Sequence, residues 1–126
     1  MIIGIGIDIV DIDRFSNSLE TDGFTERLFT ESEIIQAKNF TKIRKYEYFA
    51  GRFALKESFF KAIGTGVRIH SLTDVEILYD DLGKPKFNLK NLLSAIYPDT
   101  IYNVHATVSH EKKYVIGFVI IERKKQ

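Results

Sequence analysis

Short apolar runs alternate with polar turns along this chain, and two of the runs carry a carboxylate where an apolar residue is expected. Residues 2–10 are dominated by β-branched side chains, which predicts a short buried strand. At a period of two, Ile3, Ile5, Ile7 and Ile9 share one face, and Gly4, Gly6, Asp8 and Val10 share the other. The glycines leave that second face bare beside Asp8, so something can approach the backbone closely there. Residues 11–28 are mixed and polar, as expected of a short helix with loops. Thr30-Glu-Ser-Glu33 is a capping-box pattern and predicts a helix from there to about Phe40.

The pattern then predicts a long helix from about Ile43 to Ile63, closed by Gly64 as its C′ residue. At about 100° per residue, Tyr46, Phe49, Ala50, Phe53 and Phe60 form one apolar stripe. Glu57 falls inside that stripe, Lys61 lies on its edge, and Arg52 and Lys56 flank the opposite edge. Asp74–Tyr79 and Pro85–Asn88 flank Asp80-Asp-Leu-Gly-Lys84 and predict a hairpin. A short helix is expected over Leu89–Ile96. Tyr102–Ser109 alternates, with His105 and Ser109 on its polar side, and Lys113–Glu122 predicts a last buried strand after a turn around His110. Strands and helices are mixed rather than strictly alternating, which places the chain in the α+β class, with a long central helix packed on an antiparallel sheet.

With 126 residues, 44% of them hydrophobic, and ten Phe and six Tyr, the chain has the material for one core, and residues 1–126 read as a single domain. The 18 basic and 17 acidic residues nearly cancel, which argues against a general nucleic-acid binder. Cysteine is absent, which excludes disulfides and thiolate metal sites. The first residues lack a basic leader, and no apolar run approaches the roughly 20 residues of a membrane span. A cytoplasmic protein without membrane contact is the expectation.

An ionised carboxylate among aromatics demands compensation, because burying it alone costs several kcal/mol. Glu57 admits two readings: an intrahelical pair with Lys61, or a metal ligand together with Asp8. Asp8 in turn can cap a neighbouring turn or serve as the second ligand. Two carboxylates suit Mg²⁺, which fills the rest of its shell with water and phosphate oxygens, and Mn²⁺ fits as well. Gly4-x-Gly6 lacks the third glycine and the following helix of a dinucleotide fingerprint. Gly64-Thr65-Gly66 is by itself an ordinary helix ending.

Taken in order, these segments resemble the holo-acyl-carrier-protein synthase family, the small 4′-phosphopantetheinyl transferases. The resemblance rests on Gly4-Ile-Gly6-Ile-Asp8 with Asp11 and Arg14, and on Phe24-Thr-Glu-Arg27-Leu-Phe-Thr30-Glu-Ser-Glu33. It continues through Ala50-Gly-Arg52-Phe-Ala-Leu-Lys56-Glu57 to Lys61 and Gly64-Thr65-Gly66. Gly83-Lys-Pro85, His105-Ala-Thr-Val-Ser109-His110 and Tyr114 complete it. It implies a trimeric α+β fold with active sites between neighbouring subunits. It also implies transfer of the phosphopantetheine arm of coenzyme A to a serine of acyl carrier protein, with release of 3′,5′-ADP, a step that serves fatty acid biosynthesis. By the same resemblance Asp8 and Glu57 hold the metal, and Lys61 contacts the pyrophosphate. Arg44, Arg52, Gly64, Thr65, Gly66, Pro85 and His105 are implied to contact coenzyme A, and Arg14, Phe24 and Arg27 the carrier.

One departure stands out. The family often carries basic residues just before the Phe24 position, where this chain has Glu20, Asp22 and Gly23. Phe59 and Phe60 are also bulkier than usual at their positions. Two other functions compete: a non-catalytic oligomeric module that holds a nucleotide, and a metal-dependent phosphohydrolase, which normally needs more than two carboxylates.

Overall fold

A 22-residue helix laid directly on a three-stranded sheet organises the protein. The computed structural model describes residues 1–65 and 70–125. In chain order the elements are β1 (Ile2–Asp11), α1 (Ile12–Leu19), α2 (Phe24–Leu28), α3 (Glu31–Gln36) and α4 (Lys42–Ile63). A 3₁₀ turn at Leu72–Asp74 leads to β2 (Val75–Tyr79), β3 (Pro85–Leu89), α5 (Leu92–Ile96), β4 (Tyr102–His110) and β5 (Tyr114–Arg123). The antiparallel order β1-β5-β4 makes the main sheet, and β2-β3 forms a separate hairpin. The α+β expectation holds.

Local chemistry explains the helix ends. Asp11 caps α1 by accepting the Arg14 amide at 3.1 Å. Thr30 and Glu33 form the expected capping box on α3. Thr41 caps α4 at its start, and Gly64 ends it in the left-handed region at φ 80°. Two boundaries differ from expectation. The chain after Gln36 makes tight turns rather than further α-helix, with the Ala37, Lys38 and Phe40 amides each bonded three residues back. Leu89 belongs to β3, and Asn91, at φ 56°, sets the start of α5 beyond it.

Glycine decides how closely α4 meets the sheet. A Cβ at Gly4 would lie 1.9 Å from the Ala62 carbonyl oxygen, and one at Gly6 would lie 1.9 Å from that of Ser58. A Cβ at Gly117, across from Asp8 on β5, would lie 2.8 Å from the Ala54 carbonyl carbon. Backbone therefore packs on backbone, and the bare strand face expected from the sequence is filled by α4 itself. Ser58 adds a polar tie, its hydroxyl 2.9 Å from the Gly117 carbonyl.

The expected one-sided apolar stripe of α4 is incomplete, because the helix is buried on several sides. Phe15, Phe29 and Val115 pack around its first half, where Phe49 meets them, and Ile77, Leu93 and Ile121 around its second, where Leu55 and Phe59 meet them. Phe59 and Phe60 belong to this core. Arg52 and Lys56, placed by the sequence at the helix edge, are fully buried. Lys56 donates to Glu33 at 2.8 Å and to the Leu72 and Val75 carbonyls at 2.9 and 2.7 Å. Burial pushes its pKa down while the Glu33 charge opposes that shift. Glu33 also accepts the Ile77 amide at 3.1 Å, so one ion pair joins α3, α4 and β2.

The opposite face of the sheet departs further from expectation. Ile3, Ile5, Ile7 and Ile9 are 42–62% exposed, and Ile116 beside them is 38% exposed. The strand is thus buried on its glycine face and open on its isoleucine face, since no part of the described chain covers it.

Gly6→Ala is expected to lower stability by about 3 kcal/mol or more, the upper range for overpacking, because its Cβ meets helix backbone that cannot rotate away. Urea denaturation checks this; a loss below about 1 kcal/mol would show that α4 can lift from the sheet at little cost.

Candidate functional site

β1 directs Asp8 toward α4, since Asp8 pairs with Gly117 in the helix-facing rows of the sheet. There Lys61 Nζ donates to Asp8 Oδ1 at 3.1 Å and to the Ile7 carbonyl at 2.9 Å. The intrahelical Glu57–Lys61 pair is therefore not formed. Lysine crosses to the strand, and Glu57, one turn earlier, has no hydrogen bond or ion pair with a described residue. Burial raises the Glu57 carboxyl above its ordinary value, the Asp8 charge raises it further, and Lys61 opposes both. The two carboxylates thus repel each other across a gap that one lysine only partly neutralises.

Both acids line a cavity of about 740 Å³. Arg14 and Phe15 of α1, Phe24 at the start of α2, Phe53 and Tyr114 supply further walls. Arg14 is exposed, its guanidinium in no ion pair with a described residue; the Asp11 carboxylate bonds its backbone instead. Arg27 is also exposed, one turn beyond Phe24, and is not among the lining residues.

Hard oxygen donors, incompletely neutralised and beside a lysine, suit a divalent cation bound to phosphate. Among the described residues no group of three or more His, Asp or Glu could hold a metal, so the donor set is two carboxylates with room for water and ligand oxygens.

The remaining expected contacts lie elsewhere in the subunit. Arg44 precedes Glu57 by thirteen residues on α4, about 20 Å along the axis at about 1.5 Å per residue. It lies over the Phe40 ring, 4.0 Å from the centroid, and lines a separate cavity of about 280 Å³ with Tyr48, Gly51, Tyr79 and His110. Arg52 packs against two of those rings, 3.7 Å from the Tyr79 centroid and 4.9 Å from that of Tyr48. None of its side-chain nitrogens has a hydrogen-bond partner among the described residues. Pro85 lines a third cavity, of about 610 Å³, with Tyr97, Tyr102 and Asn103. His105 pairs with Ile120, which pairs with Ile5, so it stands on the open isoleucine face with its Nε2 3.1 Å from Glu122. Gly64 and Thr65 follow Lys61 at the exposed end of α4. Gly66 lies outside the described residues.

One subunit therefore brings Asp8, Glu57 and Lys61 together with Arg14 and Phe24, and keeps Arg44, Arg52, Pro85 and His105 apart from them. Phe15, Phe53 and Tyr114 were not singled out as site residues. Phe53 carried a signal, lying one turn before Glu57 on the same stripe. Tyr114 reaches the cavity only through pairing with Asp11, a contact across more than a hundred residues.

Because folding raises the Glu57 pKa, the native state binds that proton more tightly than the unfolded chain, and ionised Glu57 opposes folding above the raised value. Glu57→Gln is expected to raise Tm at neutral pH in metal-free buffer, with the advantage shrinking as pH falls through that value. A Tm difference that does not change with pH would contradict the assigned cause.

A family model for the 4′-phosphopantetheinyl transferase superfamily matches residues 4–119. The holo-[acyl-carrier-protein] synthase of Clostridium tetani is 43% identical over 127 residues, covering 97% of each chain. A crystal structure of such a synthase from Bacillus anthracis, in complex with CoA (3′,5′-ADP), superimposes with a TM-score of 0.84 at 37% identity over 99% of both chains. That of Neisseria meningitidis gives 0.85 at 37% identity, covering 97% of this chain and 99% of its own.

Proposed function

The chain belongs to the 4′-phosphopantetheinyl transferase superfamily, and we propose that it is a holo-[acyl-carrier-protein] synthase, moving the phosphopantetheine arm of coenzyme A to a serine of apo-acyl carrier protein. The observation that carries this reading is that Asp8, which Lys61 holds, and Glu57 line one cavity together. The complex of the Bacillus anthracis relative supports coenzyme A as the donor.

The serine oxygen forms a bond to the phosphorus that carries the pantetheine arm, as the bond from that phosphorus to the oxygen of 3′,5′-ADP breaks. In phosphoryl transfer the protein mainly positions groups and neutralises charge. Asp8 and Glu57 would hold Mg²⁺, or Mn²⁺, which when bound supplies positive charge to the pyrophosphate. Lys61 offers its ammonium to the 5′-phosphate of the departing 3′,5′-ADP. Asp8 or Glu57 would accept the serine proton.

The working unit is a homotrimer. The open Ile3, Ile5, Ile7 and Ile9 face calls for a partner surface, and another copy of the chain supplies it. His105 and Asp8 project from opposite faces of the same sheet, so both act on one coenzyme A only if they come from different subunits. Arg52 and Arg44 then serve the phosphates of that ligand. A guanidinium buried without an acceptor is costly, and an anion removes the deficit. Pro85 and the Gly64-Thr65-Gly66 segment contribute further contacts to coenzyme A. No helix among the described residues is long and apolar enough to cross a membrane, which accords with a cytoplasmic enzyme.

Incubation with coenzyme A, Mg²⁺ and apo-carrier, followed by mass spectrometry, tests this function. The carrier is expected to gain one phosphopantetheine, and Asp8→Ala or Glu57→Ala to abolish the gain while circular dichroism stays native. Coenzyme A left intact would favour a binding module, and coenzyme A cleaved without carrier modification a hydrolase. Full Mg²⁺-dependent transfer by either variant would remove the metal site.

A further inference from the structure

The rim of the large cavity is electrostatically lopsided. On one side, the segment before Phe24 offers Glu20 and Asp22 and no cation, and the Glu20 carboxylate is already held by the Tyr46 hydroxyl at 2.5 Å. On the other side the turn between β4 and β5 carries Lys112 and Lys113, both exposed. The turn satisfies its own acid: Glu111 accepts the Lys113 and Tyr114 amides at 2.8 and 2.9 Å. Neither lysine has an ion-pair partner among the described residues.

This turn is fastened to the cavity. The Ile12 amide, at the start of α1, donates to the Lys113 carbonyl at 2.8 Å, and Asp11 pairs with Tyr114 across the strands. Tyr114 lines the cavity, and the Lys113 ammonium lies over its ring, 5.4 Å from the centroid. Arg14 stands on α1 at the same cavity, its guanidinium unpaired. Between these cations the walls are aromatic: Phe15, Phe24 and Phe53.

We propose that Lys112, Lys113 and Tyr114 form the second half of the carrier-docking surface, replacing the cations missing before Phe24. The occupant is an acidic amphipathic helix of the acyl carrier protein, whose carboxylates meet Lys112, Lys113 and Arg14 while its apolar side chains rest on the aromatic wall. This rests on the transferase reading given above, and it adds an element of partner recognition that the metal site does not supply. Unpaired ammonium groups at the lip of an apolar cavity attract acidic partners at long range, and salt screens that attraction. Lys113 lies over the Tyr114 ring, which places its charge beside the cavity lip.

The test is the double charge reversal Lys112→Glu, Lys113→Glu, assayed for transfer and, separately, for apo-carrier binding by fluorescence anisotropy without coenzyme A. The KM for carrier and the Kd are expected to rise about tenfold or more, with the salt dependence of both flattened. The KM for coenzyme A and kcat at saturating carrier should stay within about twofold, because the reversal leaves the phosphate site alone. A Lys112→Gln, Lys113→Gln variant should fall between the two. If the unsubstituted protein transfers the arm but the reversal leaves carrier KM, Kd and salt dependence unchanged, the docking proposal is overturned and the transferase reading stands. If it binds carrier without transferring, the transferase reading fails while the anisotropy series still decides the docking surface. If it neither binds nor transfers, both fall.

Discussion

Everything at this site depends on how closely α4 can approach β1. Side chains ordinarily hold a helix and a sheet apart; here Gly4, Gly6 and Gly117 remove them, and helix backbone rests on strand backbone. That contact lets Lys61 reach Asp8 at 3.1 Å and places Glu57 where it senses the Asp8 charge. A methyl group at any of these glycines would act on chemistry through geometry, by lifting one carboxylate away from the other. The cost of keeping two acids partly buried is borne by a large aromatic and aliphatic core on both halves of the helix.

The same strand has two faces with different tasks. Its glycine face receives α4 and presents Asp8; its isoleucine face is left open and continues across Ile120 to His105. An exposed apolar face of this kind and a buried arginine without an acceptor are both unfavourable in an isolated subunit. In the proposed trimer, association would cover the first, and the phosphates of bound coenzyme A would satisfy the second. In the proposed assembly, the metal-and-lysine half of one copy meets the open isoleucine face of the next, which carries His105.

The sequence made much of this legible because its strongest signals were local. The period-two glycines, the Thr30–Glu33 capping box and the Gly64 helix stop each act within a few residues, and each appears as expected. What stayed hidden involved distant partners. Lys61 looked like an intrahelical partner of Glu57, since spacing along a helix cannot reveal a strand fifty residues earlier. Lys56 looked like an edge residue because its acceptors, Glu33, Leu72 and Val75, come from three other segments. The isoleucine row read as buried because composition does not distinguish burial within one chain from burial against another. Tyr114 entered the cavity only through strand register.

The division of the site between copies is the central claim, and subunit mixing tests it most directly. Asp8→Ala and His105→Ala are each expected to lose most of their transferase activity as homo-oligomers. Co-expressed in equal amounts, they should recover activity approaching about a quarter of the unsubstituted level, since in a cyclic trimer about one interface in four then joins two intact halves. Mixed oligomers verified by native mass spectrometry that remain as inactive as either parent would contradict a shared site.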